Sequence, residues 1–349
     1  MLEERDIVGT PLSAIGEFGL IAGLRARFQA DAAEIVRGIG DDAAVVSISD
    51  TDALLISSDM LMEGVHFDRS YGPILHLGYK ACMVNFSDIH AMNARPFGLV
   101  LNLAVGNRMS TQAWDAFYTG VEYACREAGV TLLGGDTTST RSGIGISVTV
   151  FGRQQRDKIS YRSGAQVHDV LCVTGDLGAA YAGLQILERE KQVHQQNPDL
   201  QPDLSGYSYI VERQLRPSST AKYIDWFAER GVVPSSMIDV SDGLASEVNH
   251  LARESGLGAR VLLSRLPIDY ETSKAADEMQ VAPGTFALYG GEDYELLFTV
   301  SPTDFDQIKD HPHICPIGFM TTAETGVMLV TDGGEASELK PLGYHHFQS

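Results

Sequence analysis

The chain has 349 residues, with 46 Asp plus Glu against 26 Lys plus Arg, for a formal net charge of −20. With 44% apolar and 21% charged residues it has the composition of a folded globular protein, and its length suits two domains around separate cores. So acidic a chain offers no electrostatic footprint for nucleic acid and is repelled by anionic lipid, so a phosphate-bearing substrate would need a cation between itself and the protein.

In chain order, glycines punctuate short periodic segments, the pattern of many short elements joined by tight turns. Residues 17–29 predict an amphipathic helix. AAVVSI (43–48) and ALLISS (53–58) predict a hairpin across SDTD. A helix is expected over 75–92 and a strand over 98–105. Ser110 or Thr111 would cap a helix that runs to Glu127 and stops at Gly129. Strands follow at 130–135 and 145–152. The polar stretch 152–168 suggests a boundary, which divides the chain into 1–155 and 156–349. Beyond it, DVLCVTGD reads as a strand, LGAAYAGLQILERE as a helix and 191–206 as a surface loop. SSTAKYIDWFAERG and LASEVNHLARESG read as helices. MIDV, ARVLLSRL, ELLFTVS, ICPIGF and GVMLVT read as strands. Strands and helices interleave without strict alternation, so the fold class is α+β.

Familiar catalytic signatures are absent. There is no GxxxxGK[ST], no HRD and DFG pair, no HExxH and no GxSxG. Cys82, Cys125, Cys172 and Cys315 form no CxxC or Cys/His cluster, which points to reduced thiols in a cytoplasm. The N-terminus lacks the pattern of a signal peptide. The best apolar stretch, 98–106, is too short to span a bilayer, so no membrane partner is expected.

Five acidic turns share one design, with Asp in or beside a Gly/Ser/Thr-rich turn that abuts a strand or helix. They are GIGDDAA (Asp41, Asp42), SSDM (Ser57, Ser58, Asp59), NFSD (Asn85, Asp88), GGDTTST (Asp136) and DVSDG (Asp239, Ser241, Asp242). Carboxylates with neighbouring hydroxyls are the hard oxygen donors Mg²⁺ prefers. Each turn alone is equally an ordinary turn or helix cap, and the concentration of five is the argument. Asn85 and Asp88 share a helix face among apolar neighbours, where a carboxylate needs a metal or a partner such as Lys80 or Arg95. In GGEDYELLF, Glu292 would either cap a turn or grip a cationic group. Arg162 in SYRSGA is a phosphate clamp or a surface arginine, and His66 in EGVHF is a ligand contact or a structural histidine.

The strings GEFGLI, GIGDDAAV, ISSDMLMEGVHF, YKACMVNFSDIHAMNARP, LLGGDTTS, YRSGA, VTGDLG, LRPS, MIDVSDGL and LYGGEDYELLFTV occur in this order. Nearly the whole chain thereby resembles the thiamine-monophosphate kinases of the aminoimidazole ribonucleotide synthetase-like superfamily. The resemblance implies two α/β domains, an N-terminal one that binds ATP and Mg²⁺ and dimerises through its sheet, and a C-terminal one that completes the site. It implies ATP-dependent phosphorylation of thiamine monophosphate to thiamine diphosphate, several Mg²⁺ ions and a homodimer. By motif, Asp42, Ser57, Ser58, Asp59, Asp88, Asp136, Asp239 and Asp242 are implied as the metal set. Tyr118, Gly135, Asp136, Arg162 and Ser241 are implied as ATP contacts, and His66, Glu292 and Tyr344 as substrate contacts. Where the family has a run like AAMGA-P, this chain has HAMNARP, a larger charged loop expected to alter dimer packing or site shape.

The nucleophile of such a reaction is a phosphate oxygen that is already anionic, so no dedicated catalytic base is expected. Competing readings are another ATP-dependent synthetase of the superfamily and a non-catalytic acidic metal-binding module. The specific GGEDYEL and SSDMLMEGVHF strings weigh against the first, and consumption of ATP would exclude the second.

Overall fold

The computed structural model describes residues 12–28 and 32–342, so Tyr344 lies outside the described residues. The first half comprises α1 (Leu12–Arg27, broken at Gly16), β1 (Ile35–Arg37), β2 (Ala44–Ser47), β3 (Asp52–Met62), α2 (Ile74–Ala91), β4 (Arg95–Val105), α3 (Thr111–Ala128), β5 (Thr131–Ser139) and β6 (Gly145–Gln155). Its strands form one six-stranded sheet in the order β1-β2-β3-β6-β4-β5. Only β4 and β5 are parallel, with α3 as their crossover. The predicted hairpin is β2–β3, in antiparallel register Ala44↔Ile56 to Ser47↔Ala53.

The second half comprises β7 (Val170–Thr174), α4 (Ala179–Gln196), α5 (Ser208–Leu215), α6 (Ala221–Arg230), β8 (Ser236–Asp239), α7 (Leu244–Ser255) and β9 (Gly258–Leu262). It continues with α8 (Tyr270–Glu278), α9 (Pro283–Tyr289), β10 (Leu296–Val300), α10 (Pro302–Ile308), β11 (Ile314–Thr321), β12 (Val327–Val330) and β13 (Ala336–Glu338). The seven strands lie in the order β13-β12-β9-β11-β7-β10-β8. Their two faces are covered separately. Residues of β10 alternate between a core with α6 and α10 and a core with α7 and α9. The architecture is mixed α and β with two sheets, as expected.

Helix α2 explains how the halves meet. From Leu77 to Ala94 every residue but Asp88 is buried, because α2 lies across β3, β4 and β6 on one side and touches β8 and β10 on the other. A helix apolar nearly all round is one packed all round. It crosses α3 at van der Waals limit: a Cβ on Gly78 would stand 2.0 Å from the Phe117 carbonyl oxygen, and one on Gly120 1.9 Å from that of Leu75. Ser110 caps α3 by accepting from the Ala113 N–H at 3.1 Å, and Gly129 ends it at φ 67.

Some expectations need correction. The surface loop expected at 191–206 begins later, because α4 runs on to Gln196 through residues with good helix propensity. Helices α5, α8, α9 and α10 went unread because their seven to nine residues give too few turns for a periodic signal. Neither Lys80 nor Arg95 pairs with Asp88: Lys80 pairs with Glu292, and Arg95 with Asp225. The HAMNARP segment is not a charged surface loop. His90 is buried, with Nδ1 2.9 Å from the Thr220 hydroxyl, and only Arg95 is exposed. Asn93 takes φ 54 where the family run has Gly, and Asn is the side chain that best tolerates that conformation.

Candidate active site

Five elements deliver carboxylates or hydroxyls to one cleft between the sheets. Asp42 comes from the turn before β2, Ser57 and Asp59 from β3, Asp88 from α2, Asp239 from the end of β8, and Ser241 and Asp242 from the turn before α7. Carboxylate oxygens of Asp42, Asp88 and Asp239 lie within 4.8 Å of one another. Alternation along β3 puts Ser57 and Asp59 on the face that α2 covers. There the Ser57 hydroxyl donates to Asp88 Oδ2, and the Asp59 N–H donates to Asn85 Oδ1 at 3.1 Å. Ser87, one residue before Asp88, donates to Asp239 Oδ2 at 2.7 Å and so ties α2 to β8. The cavity around these groups has a volume of about 740 Å³.

Electrostatically, among the described residues, the cleft is short of positive charge. Burial raises Asp88 well above the ordinary carboxylate range, and the charges of Asp59, Asp239 and Asp42 push it the same way. Asp239 is pushed up to about 7 by burial and by Asp42, and Asp41 to about 6 by burial and by Asp42. Asp59 is raised chiefly by burial. Arg162 is the cation in contact with the cluster, gripping Asp42 through Nη2 at 2.6 Å and Nε at 3.2 Å. Hard oxygens, mutual repulsion and too little counter-charge are the donor chemistry that suits Mg²⁺.

A second cavity of about 590 Å³ adjoins the first and shares His66, Ser241, Asp242, Glu292 and Tyr294 with it. Tyr71, Tyr181 and Tyr289 add aromatic surface, and Lys191 bridges to Asp68 at 2.7 Å on its rim. His66 Nδ1 accepts from the Met62 N–H at 3.0 Å. Glu292 sits in the loop before β10, with its N–H on the Ser241 carbonyl at 2.7 Å.

The fold thus brings together Asp42, Ser57, Asp59, Asp88, Arg162, Asp239, Ser241 and Asp242, with His66 and Glu292 next to them. The Ser58 hydroxyl points to the opposite face of the sheet, 2.9 Å from Thr149 Oγ1, although the residue lines the cavity. Gly135 and Asp136 lie on the exposed edge strand β5, separated from β3 by β6 and β4. The Asp136 N–H donates to Asn102 Oδ1 at 3.0 Å. Tyr118 packs on the core of the first half, its ring centroid 4.9 Å from that of Trp114. Neither cavity includes these three. The sequence reading missed Glu247, which accepts from the Asp242 N–H at 2.9 Å, and Gln214. A glutamate in the first turn of a helix that follows an acidic turn is a readable signal for the former. Gln214, on the unread α5, left none.

Residues 40–154 match the family model of the AIR synthase related protein N-terminal domain. The thiamine-monophosphate kinase of Escherichia coli K12 is 36% identical over 341 residues, covering 96% of this chain and 99% of the relative. A solved structure of AaThiL complexed with AMPPCP and TMP superposes with TM-score 0.82 at 30% identity, covering 97% of this chain and 99% of that one. The thiamine-monophosphate kinase structure from Stenotrophomonas maltophilia K279a gives TM-score 0.70 at 31% identity, covering 92% and 98%.

Proposed function

The chain belongs to the thiamine-monophosphate kinase family, and we propose that the cleft lined by Asp42, Asp88 and Asp239 is where it does its chemistry. It phosphorylates thiamine monophosphate to thiamine diphosphate, with ATP as co-substrate and ADP as product. The observation that supports this site is the convergence of three carboxylates from three elements to within 4.8 Å.

We assign Asp42, Ser57, Asp59, Asp88, Asp239 and Asp242 to Mg²⁺, with Asp136 and Ser58 assigned from the resemblance, the Ser58 hydroxyl itself lying on the other face of β3. Several ions would offset the charge of two polyanions and align an in-line transfer. The chain's own residues have three tasks. Asn85 and Ser87 hold Asp59 and Asp239 in place. Arg162 and Ser241 face the same cavity, and the planar fork of Arg162 suits a nucleotide phosphate; Tyr118, Gly135 and Asp136 are assigned to ATP from the resemblance. His66 and Glu292 face the second cavity, whose tyrosines suit an aromatic cationic substrate, and Tyr344 is assigned there from the resemblance. No residue is needed as a base, since the attacking phosphate oxygen is anionic. The histidines fit that: His66 Nδ1 is occupied by a backbone N–H, and burial beside Arg162 lowers His250 to about 3.

Tyr118, Gly135 and Asp136 sit away from the cleft of a single chain, on the side where β5 is exposed along its length. A homodimer built through the N-terminal sheet would cover that edge. We divide the chain into an N-terminal ATP- and Mg²⁺-binding and dimerising unit, 1–155, and a C-terminal unit, 156–349, that completes the site. Among the described residues no helix is long and apolar enough to cross a membrane. The four cysteines are free, as suits a cytoplasmic protein.

The test incubates the protein with γ-labelled ATP and thiamine monophosphate. Label in thiamine diphosphate, lost with EDTA and regained on adding Mg²⁺, is the expected result. Turnover that resists EDTA would remove the metal assignment.

A further inference from the structure

We propose that Lys80 and Gln214 are positioning residues that aim the Glu292 carboxylate into the substrate cavity, an inference that rests on the reading of Glu292 as a substrate contact. Three elements from both halves of the chain meet here: α2 carries Lys80, α5 carries Gln214, and the loop between α9 and β10 carries Glu292. Lys80 Nζ lies 3.1 Å from Glu292 Oε1 and donates to the Gln214 carbonyl at 3.0 Å. Gln214 Nε2 donates to Glu292 Oε2 at 2.5 Å. Each carboxylate oxygen is therefore held by a different side chain.

Burial orders the three. Lys80 and Gln214 are buried, whereas the Glu292 side chain keeps 25% of its surface and lines the second cavity with His66, Tyr181 and Tyr289. The carboxylate faces the cavity; Lys80 holds one oxygen from outside the cavity lining, and Gln214, buried at the cavity wall, holds the other. With one oxygen on an ammonium and the other on an amide, Glu292 acts as a directed acceptor more than as a free charge.

Two features indicate that the arrangement serves Glu292 and not simply packing. Gln214 Oε1 is buried without a hydrogen-bond partner, a costly state. Turning the amide over would set its oxygen against a carboxylate oxygen, so the amide is held in the orientation that suits Glu292. Glu292 itself takes φ 67, an uncommon conformation for a residue with a Cβ, and such conformations persist where the surroundings over-determine them.

The experiment is steady-state kinetics with thiamine monophosphate and ATP varied separately, on Glu292→Gln, Lys80→Met, Lys80→Arg, Gln214→Leu and the double variant Lys80→Met/Glu292→Gln. Lys80→Met and Gln214→Leu are expected to raise the KM for thiamine monophosphate about tenfold, as for loss of one charge-assisted contact, with the KM for ATP unchanged. Lys80→Arg is expected to recover most of the loss. In the double variant the KM should equal that of Glu292→Gln alone, because Lys80 acts only through Glu292. Effects that add in the double variant, or that fall equally on both substrates, overturn the proposal. An unchanged substrate KM in Glu292→Gln overturns the reading of Glu292 itself, whereas an unchanged KM in Lys80→Met alone overturns only the positioning role. Should Lys80→Met not fold, the double variant, which buries no unpaired charge, and Gln214→Leu carry the same test.

Discussion

Asp88 shows how one side chain carries both the cost and the use of this site. It is the residue of α2 that meets Asp42 and Asp239, and burial with three neighbouring charges makes its ionised form unfavourable. Asp88→Asn should therefore lower turnover by about 10³-fold, the several kcal/mol that a misplaced metal would forfeit. The metal-free protein should melt no lower than the wild type, since a repelled carboxylate has gone. Asp242→Asn should behave alike in turnover. Calorimetry without metal beside an activity assay reads both outcomes, and near-normal activity at saturating Mg²⁺ would count against the role. Asp293 makes a separate point. Burial pushes it up to about 7, although it accepts from the Gly178 and Ala180 N–H groups. A carboxyl raised in the folded state binds more protons folded than unfolded. Its contribution is present at acid pH and is lost as pH rises from about 4 to about 7. The Tm difference between wild type and Asp293→Asn should narrow over that window, and a constant difference would contradict this.

At the scale of elements, α2 is the part on which most depends. It brings Asp88 into the first cavity, sets Lys80, Asn85 and Ser87 against Glu292, Asp59 and Asp239 that line the cavities, and is wedged between a sheet on each side. Its height above the first sheet is set by the crossing with α3, where Gly78 and Gly120 let the backbones touch. Gly120→Ala would drive a methyl into the Leu75 carbonyl. The expected cost is about 1–3 kcal/mol, seen as a lower urea midpoint, with reduced turnover because the helix that carries Asp88 is displaced at its first turn. Unaltered stability would mean the crossing is looser than this. Helix α2 was legible because 18 residues give five turns of apolar signal. Its neighbour α5, with eight residues, gave none, and Gln214 stayed hidden with it.

On the scale of the molecule, the cleft exists because two sheets from 35–155 and 170–338 share one buried helix. The Ser87–Asp239 and Lys80–Glu292 contacts tie the halves at the site itself. The opposite edge of the first sheet is less settled: β5 is exposed throughout, with Leu132 and Leu133 40% and 57% exposed. An apolar open edge of this length invites pairing. Light scattering should give twice the 37.8 kDa chain mass, and Leu133→Asp should yield a monomer with little turnover. A variant that stays dimeric would place the interface elsewhere.

The order of short motifs by itself carried the resemblance to the family, and the resemblance carried the reaction; the motifs are legible because each is local, its residues lying within a short stretch of chain that needs no knowledge of the rest. The same is true of Ser110 and Gly129, whose capping roles depend on adjacent backbone alone. Partnership was decided only in three dimensions. Nothing within reach along the chain tells Lys80 to choose Glu292 over Asp88, or Arg162 to hold Asp42. Those choices follow from how α2 is pressed between two sheets, which sets the distances that Coulomb attraction and hydrogen bonding then act upon.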